Sequence, residues 1–319
     1  MSPLSTMTVF TLKTPAKINL YLEIVNQRPD GYHNILSCMQ MIGLYDRLTF
    51  EPRSKGIRLT LQKECVDKNE PPLASDRSNL VYQAATLLQK EARRAGHRVP
   101  GASILLVKRI PIAAGLAGGS SNAAAALIGL NRLWSLGWKR SRLTSLGARI
   151  GSDVPFFLGA ATAWVSGRGE QVKPASLPLD FPRYGVLVDP KQQISTAWVY
   201  QEFSHRFQLT KSASRIRMLR GGSTAGGGDH DIEIGSLLRR SRNDLEAVTI
   251  SYCPMVAKIK MALYSLGGRC ALMSGSGTAC FAFFRQHDEA RKAADSICSN
   301  KMGTAVVFRV LRCSPLLPK

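Results

Sequence analysis

The chain has 319 residues, 45% of them hydrophobic, with 43 Lys and Arg against 22 Asp and Glu for a formal net charge of +21. That length supports two compact domains or one with a well-filled core, and no apolar run approaches the roughly 18–20 residues of a membrane-crossing helix. The positive charge is spread over segments such as 90–98 and 132–149, without interleaved aromatics, zinc-finger spacing or an RNP motif, so neither a nucleic-acid nor a membrane partner is expected.

In chain order, residues 17–25 alternate as a strand does, and residues 27–32 (Q-R-P-D-G-Y) form a turn signal through Pro29, Asp30 and Gly31. Strand-like runs follow at 46–51 and 56–61. Residues 78–95 have helical periodicity and stop before Gly96, a C-cap signal. A strand at 103–108 leads into the loop 111–121, and a small-residue helix runs from 120 to 134. Helices are predicted at 140–150 and, briefly, from 153. Strands followed by helices with no regular βαβ repeat indicate an α+β fold. Proline density rises near 174–182, which places a boundary between a first domain, 1–178, and a second, 179–319. The second domain is predicted to hold strands at 184–188, 269–273, 279–284 and 305–311, and helices at 196–203, 252–265 and 288–299. Residues 208–231, rich in Ser, Gly and Arg, read as a surface excursion.

Five segments can carry chemistry. In T-P-A-K-I-N-L, Lys17 and Asn19 share a strand face, either a solvent side or the floor of a site. In D-G-Y-H, Tyr32 and His33 follow a tight turn, either packing on the core or presented to a nucleobase. The loop P-I-A-A-G-L-A-G-G-S-S-N, at 111–122, sits between a strand and a helix N-terminus. Its glycines let backbone N–H groups approach an anion, the helix adds unpaired donors and a positive dipole end, and Ser120 and Ser121 add hydroxyls for a phosphate or a Mg²⁺ shell. It is not a Walker A motif, because no G-K-[ST] follows the glycines. Asp153, in G-S-D-V-P-F-F, reads either as a helix cap or as a functional carboxylate with a cation close by. S-G-S-G-T, at 274–278, reads as a turn between two strands. The seven cysteines stand singly and the five histidines form no metal-ligand pair, so no structural or catalytic transition metal is expected.

Taken together and in this order, these segments, with R-S-N-L at 77–80 and S-G-R-G-E at 166–170, resemble the GHMP kinase superfamily over about residues 8–311. The resemblance implies a two-domain GHMP kinase fold of the α+β class: an N-terminal domain like ribosomal protein S5 domain 2, a C-terminal ferredoxin-like domain, and an active site in the cleft between them. The D-G-Y-H segment resembles the members that phosphorylate the 2-hydroxyl of 4-diphosphocytidyl-2-C-methyl-D-erythritol, in the non-mevalonate route to isoprenoid precursors. A homoserine- or mevalonate-type kinase is the alternative, and a basic nucleic-acid-binding protein on the same scaffold a more distant one. The resemblance implies ATP and Mg²⁺ as cofactors and a small-molecule partner; a monomer or homodimer is expected, and residues 1–13, without the basic start and long apolar stretch of a secretory signal, read as cytoplasmic. It implies Asp153 as the base and Lys17 beside it, with Asn19 positioning the reacting hydroxyl. Tyr32 and Tyr200 would sandwich the cytosine, His33 would bind its edge, and Thr196 would lie near the same group. Asn79 and Leu80 would lie near the adenine, and Pro111, Gly115, Leu116, Ala117, Gly118, Gly119, Ser120 and Ser121 would hold the ATP phosphates. Ala113, Ala114 and Ala117 stand where some members have glycine.

Overall fold

The structure is a computed structural model that describes residues 9–63, 74–207 and 241–316. Strands β1 (Phe10–Gln27) and β2 (His33–Arg53) pair antiparallel along their whole length, joined by the predicted turn, where Gly31 has φ +82°. From Thr14 to Ile24 β1 is buried on both faces. The predicted strand at 46–51 is therefore only the far end of a long one. Residues 33–45 carry no polar alternation because both of their faces are covered.

β2 also pairs with β4 (Gly101–Lys108) and with β5 (Thr162–Ser166), which pairs with β6 (Gln171–Pro174). The short strands β5 and β6 were not among the predicted elements. Strand β3 (Ile57–Lys63) runs parallel to β4, and helix α1 (Leu80–Arg94) makes the crossover. Helices α2 (Gly118–Leu133), α3 (Arg140–Ala148) and the single turn α4 (Val154–Phe157) complete this half. Alanines at 123–126 are fully buried, which lets α2 lie close on the sheet.

The second sheet contains β7 (Tyr184–Asp189), β8 (Arg269–Met273), β9 (Cys280–Phe284) and β10 (Thr304–Arg309) in the order β10-β7-β9-β8, all antiparallel. Its helices are α5 (Thr196–Phe207), α6 (Glu246–Tyr252), α7 (Met255–Ser265) and α8 (His287–Ser299). This β-α-β-β-α-β order is the ferredoxin-like arrangement. The single helix predicted over 252–265 is corrected to α6 and α7. Pro254 pushes Cys253 out of the helical region, to φ −125° and ψ 82°, and the chain restarts at Met255. The excursion predicted at 208–231 lies outside the described residues.

One apolar cluster joins the two sheets. Ala16, Ile18 and Leu20 of β1 pack with Leu187, Phe281, Phe283 and Phe308 of the second sheet. Burying that face turns the opposite face of β1, with Lys17 and Asn19, toward the cleft between the halves. No helix of the described residues is long and apolar enough to cross a membrane.

Candidate active site

The cleft has a volume of about 970 Å³, and β1 forms its floor. Lys17 is only 3% exposed, and its Nζ donates to Asn19 Oδ1 at 2.6 Å. Asn19 Nδ2 donates to Ser37 Oγ at 2.8 Å, and that hydroxyl donates to the Tyr21 carbonyl at 2.6 Å. Both ends of the Asn19 amide are thus engaged inside the protein, and the side chain orients Lys17. Burial pushes the Lys17 ammonium below the usual lysine range, and the Asp153 carboxylate opposes that push.

Asp153 precedes α4, but its side chain makes no cap hydrogen bond, so the helix-cap reading of this residue does not hold. A Cβ placed on Gly169 would lie 3.5 Å from Asp153 Oδ1, which puts the S-G-R-G-E segment against the carboxylate.

The loop before α2 forms the second wall. Gly115 has φ +77°, and Ala113 and Ala117 take φ +55° and +51°. Left-handed alanines cost about 1–3 kcal/mol each, so glycine-like geometry is retained here at two alanines. The loop is tied to β1 by Lys17 N–H donating to the Leu116 carbonyl at 3.1 Å. Beneath it, buried Asp46 pairs with Lys108 and accepts from Arg109 N (2.7 Å), Ile110 N (2.8 Å) and Asn122 Nδ2 (3.0 Å). This carboxylate fixes both strand end and helix start, and sequence reading did not single it out. Its partners come from residues 108–122, at long separation. Ser120 and Gly115–Gly119 line the cleft with Pro111. Ser121 is fully buried and, unlike Ser120, does not line the cleft; its Oγ has no hydrogen-bond partner among the described residues.

The turn 274–278 docks on this loop. Ser274 Oγ donates to the Gly115 carbonyl at 2.9 Å, and Ser276 Oγ lies 2.9 Å from Thr196 Oγ1 at the start of α5. A Cβ on Gly115 would stand 1.9 Å from the Ser274 carbonyl oxygen. Gly115→Ala therefore has to displace the loop, and a misplacement near 1 Å costs about 10²-fold in rate. The expected result is a loss of that order in kcat/KM for ATP, measured by steady-state kinetics.

The far end of the cleft is aromatic. Tyr32 is 57% exposed, with the Arg168 guanidinium 5.0 Å from its ring centre. Tyr200 packs on His33, ring centres 5.2 Å apart and tilted 39°. Burial, and secondarily the Asp153 carboxylate, push the Tyr200 phenol up from its ordinary value. Ser204 Oγ donates to the Tyr200 carbonyl at 3.2 Å and lies 2.6 Å from His33 Nε2. A hydroxyl has one proton to give: with that proton on the Tyr200 carbonyl, Ser204 accepts from Nε2–H and His33 Nδ1 is an acceptor. Burial pushes the imidazole down from its ordinary value and keeps it neutral at pH 7. Arg168 and Ser204 had no predicted role; the one signal was the S-G-R-G-E segment itself.

Asn79 caps α1, accepting from Val81 N at 2.9 Å and donating to the Ala74 carbonyl at 2.8 Å. Leu80 stands against the glycine loop, its Cδ1 3.5 Å from a Cβ placed on Gly119. Both line the cleft, as do Thr196, Tyr32, His33 and Tyr200.

A glycine loop ahead of a helix, beside a buried lysine acted on by a carboxylate in a cleft between two such sheets, fits a small-molecule kinase of the GHMP type. The GHMP kinases N terminal domain family matches residues 79–160, and the GHMP kinases C terminal family residues 230–302. Over 294 residues the chain is 42% identical to the 4-diphosphocytidyl-2-C-methyl-D-erythritol kinase of Synechococcus sp. (strain JA-2-3B'a(2-13)), covering 91% of this chain and 90% of that protein. A solved 4-(cytidine 5'-diphospho)-2C-methyl-D-erythritol kinase superposes with a TM-score of 0.71 at 32% identity, covering 94% of this chain and 99% of that one. Homoserine kinase from Cytophaga hutchinsonii shares the fold alone, with a TM-score of 0.69 at 17% identity over 98% of each chain. The chain belongs to the 4-diphosphocytidyl-2-C-methyl-D-erythritol kinase family.

Proposed function

We propose that this protein transfers the γ-phosphoryl group of ATP to the 2-hydroxyl of 4-diphosphocytidyl-2-C-methyl-D-erythritol, giving the 2-phosphate and ADP, and that it works in the cytoplasm. The observation that carries the reading is the meeting, in one cleft, of Lys17, Asp153 and the glycine loop with the aromatic group of Tyr32, His33 and Tyr200. The ATP-binding part is 1–178 and the second part, 179–319, carries the substrate helix α5.

Asp153 takes the proton of the 2-hydroxyl as its oxygen attacks the γ-phosphorus. The bond from that phosphorus to the β–γ bridging oxygen breaks, and ADP leaves. Lys17, held by Asn19, keeps the carboxylate ionised and balances charge on the equatorial oxygens. Backbone N–H groups of 115–120 and the α2 dipole hold the phosphates, with the Ser120 hydroxyl, which lines the cleft, beside them. At the other end, Tyr32 and Tyr200 flank the cytosine. His33 Nδ1 accepts from its 4-amino group, a donor that uracil lacks. Arg168, beside Tyr32, adds positive charge toward the substrate diphosphate.

Among the described residues no three His, Cys, Asp or Glu side chains converge as a metal site. The Ser120 hydroxyl at the start of α2 would help hold a Mg²⁺ that comes with the ATP phosphates, and the ion would supply charge neutralisation there.

The test is ADP release with Mg²⁺ and each of 4-diphosphocytidyl-2-C-methyl-D-erythritol, homoserine, mevalonate and galactose, with products identified by phosphorus NMR. Release with the cytidylyl substrate alone, and one new phosphomonoester, is the expected result. Consumption of a control substrate instead would remove the cytosine reading and leave the class.

A further inference from the structure

We infer that Asn243 is a positioning residue for phosphoryl transfer: its amide holds the turn 274–278 against Lys17 and the phosphate loop. Asn243 is 7% exposed, and both donations from its Nδ2 go to that turn and the strand before it, 2.7 Å to the Gly275 carbonyl and 2.9 Å to the Met273 carbonyl. Its Oδ1 accepts from Leu245 N at 3.0 Å, so every polar atom of the side chain is engaged. Glu246, three residues on, gives a second hold, accepting from Met273 N at 3.0 Å while paired with Lys260.

The backbone around Asn243 is itself anchored to the strand that carries Lys17. Leu22 N donates to the Arg242 carbonyl at 2.8 Å, and Asp244 N to the Leu22 carbonyl at 3.0 Å. Asn243 thus stands between β1 and the turn: its two chain neighbours each bond Leu22, and its own amide donates to Gly275 and Met273. The turn reaches the reacting groups directly. A Cβ on Gly275 would lie 3.2 Å from Lys17 Nζ and 3.0 Å from the Gly115 carbonyl oxygen, so glycine's bare Cα is what lets the turn roof the ammonium. The circuit from β1 through Asn243 and Gly275 back to Lys17 closes without passing through substrate. It sets how far the ammonium is shielded from water and where it stands relative to the loop.

The groups around Lys17 define the readout. Asp153, ahead of α4, is the charged group acting on it, and the Tyr200 phenol on α5 is kept neutral. From β1, the turn and the loop come the uncharged Asn19 Oδ1, Gly275 and the Leu116 carbonyl. Loosening the turn admits water, relieves the burial of Lys17 and returns its proton affinity toward the ordinary lysine value.

The inference rests on the catalytic reading of Lys17, so the test includes Lys17→Met. Asn243→Ala and Asn243→Asp are compared with the wild type; the second keeps the volume and the acceptor for Leu245 N but loses both donors. Asn131→Ala is the control for plain loss of stability, because that amide bridges Trp138 N and the Trp138 carbonyl far from the cleft. The expected result is a fall of about 10–10²-fold in kcat for both Asn243 variants, a raised KM for ATP, and an alkaline limb of the pH–kcat profile moved to higher pH. Asn131→Ala should lower Tm and leave kcat and the limb in place. Asn243 variants that lose Tm but keep the wild-type kcat and limb would overturn the inference. Because Asn243→Asp is isosteric, it carries the test if Asn243→Ala does not fold. Lys17→Met with wild-type turnover would instead sink the reading of Lys17 on which the inference stands.

Discussion

Asp153→Asn is expected to lower turnover by about 10²–10⁴-fold, the range a positioned general base contributes, with little change in the dissociation constant for ATP. The separation of the two effects follows from the geometry. Asp153 makes no cap hydrogen bond, so its helix turn loses no intrahelical partner in the amide. The phosphate loop is held from beneath by Asp46 and Asn122, and from above by Ser274. None of these contacts passes through residue 153. Rapid-quench measurement of phosphoryl transfer, with ATP binding followed by calorimetry, separates the quantities. Wild-type-like transfer in this variant would take the base role away from Asp153, and a parallel loss of ATP binding would make it a ligand of the phosphates.

Lys17→Met should lower kcat by about 10²–10³-fold, as loss of one preorganised charge-stabilising donor does. Its signature is in the pH dependence. Burial depresses the Lys17 pKa, so the ammonium loses its proton at lower pH than an ordinary lysine, near 10.4, does. Wild-type kcat is therefore expected to fall on the alkaline side below that value, and the residual rate of Lys17→Met should lack this limb. Stability carries the same group with the opposite trend. Between the depressed folded-state value and the ordinary unfolded one, the unfolded chain binds more protons at residue 17, so folding stability from this site rises with pH across that window. An alkaline limb unchanged in Lys17→Met would assign it to another group.

Much of the site was legible locally. Period-two alternation put Lys17 and Asn19 on one strand face, and the density of glycine before a small-residue helix marked the loop that lines the cleft. The turn predicted at 27–32 is present, with Tyr32 exposed, and Gly96 follows the end of α1. These are short-range properties: the pleat and turn dihedrals depend on residues within a few positions. The same locality explains what was misplaced. Residues 33–45 hid a strand because burial on both faces erases alternation, and the helix predicted at 252–265 overlooked the break that Pro254 imposes on Cys253.

What the sequence by itself determined is the set of chemical parts and the face or turn on which each stands. Only the tertiary structure decided how they are used. It turned Asp153 from a possible helix cap into a free carboxylate facing a buried ammonium, and set Asn19 to orient Lys17. It made S-G-S-G-T a roof over the glycine loop, with Asn243 holding the turn and Asp46 the chain that leads into the loop. Partners such as Ser274 and Gly115, 159 residues apart, are brought together by the apolar cluster of β1 and the second sheet. That driving force depends on buried area and carries no direction along the chain, so no local pattern can announce which loops it will join.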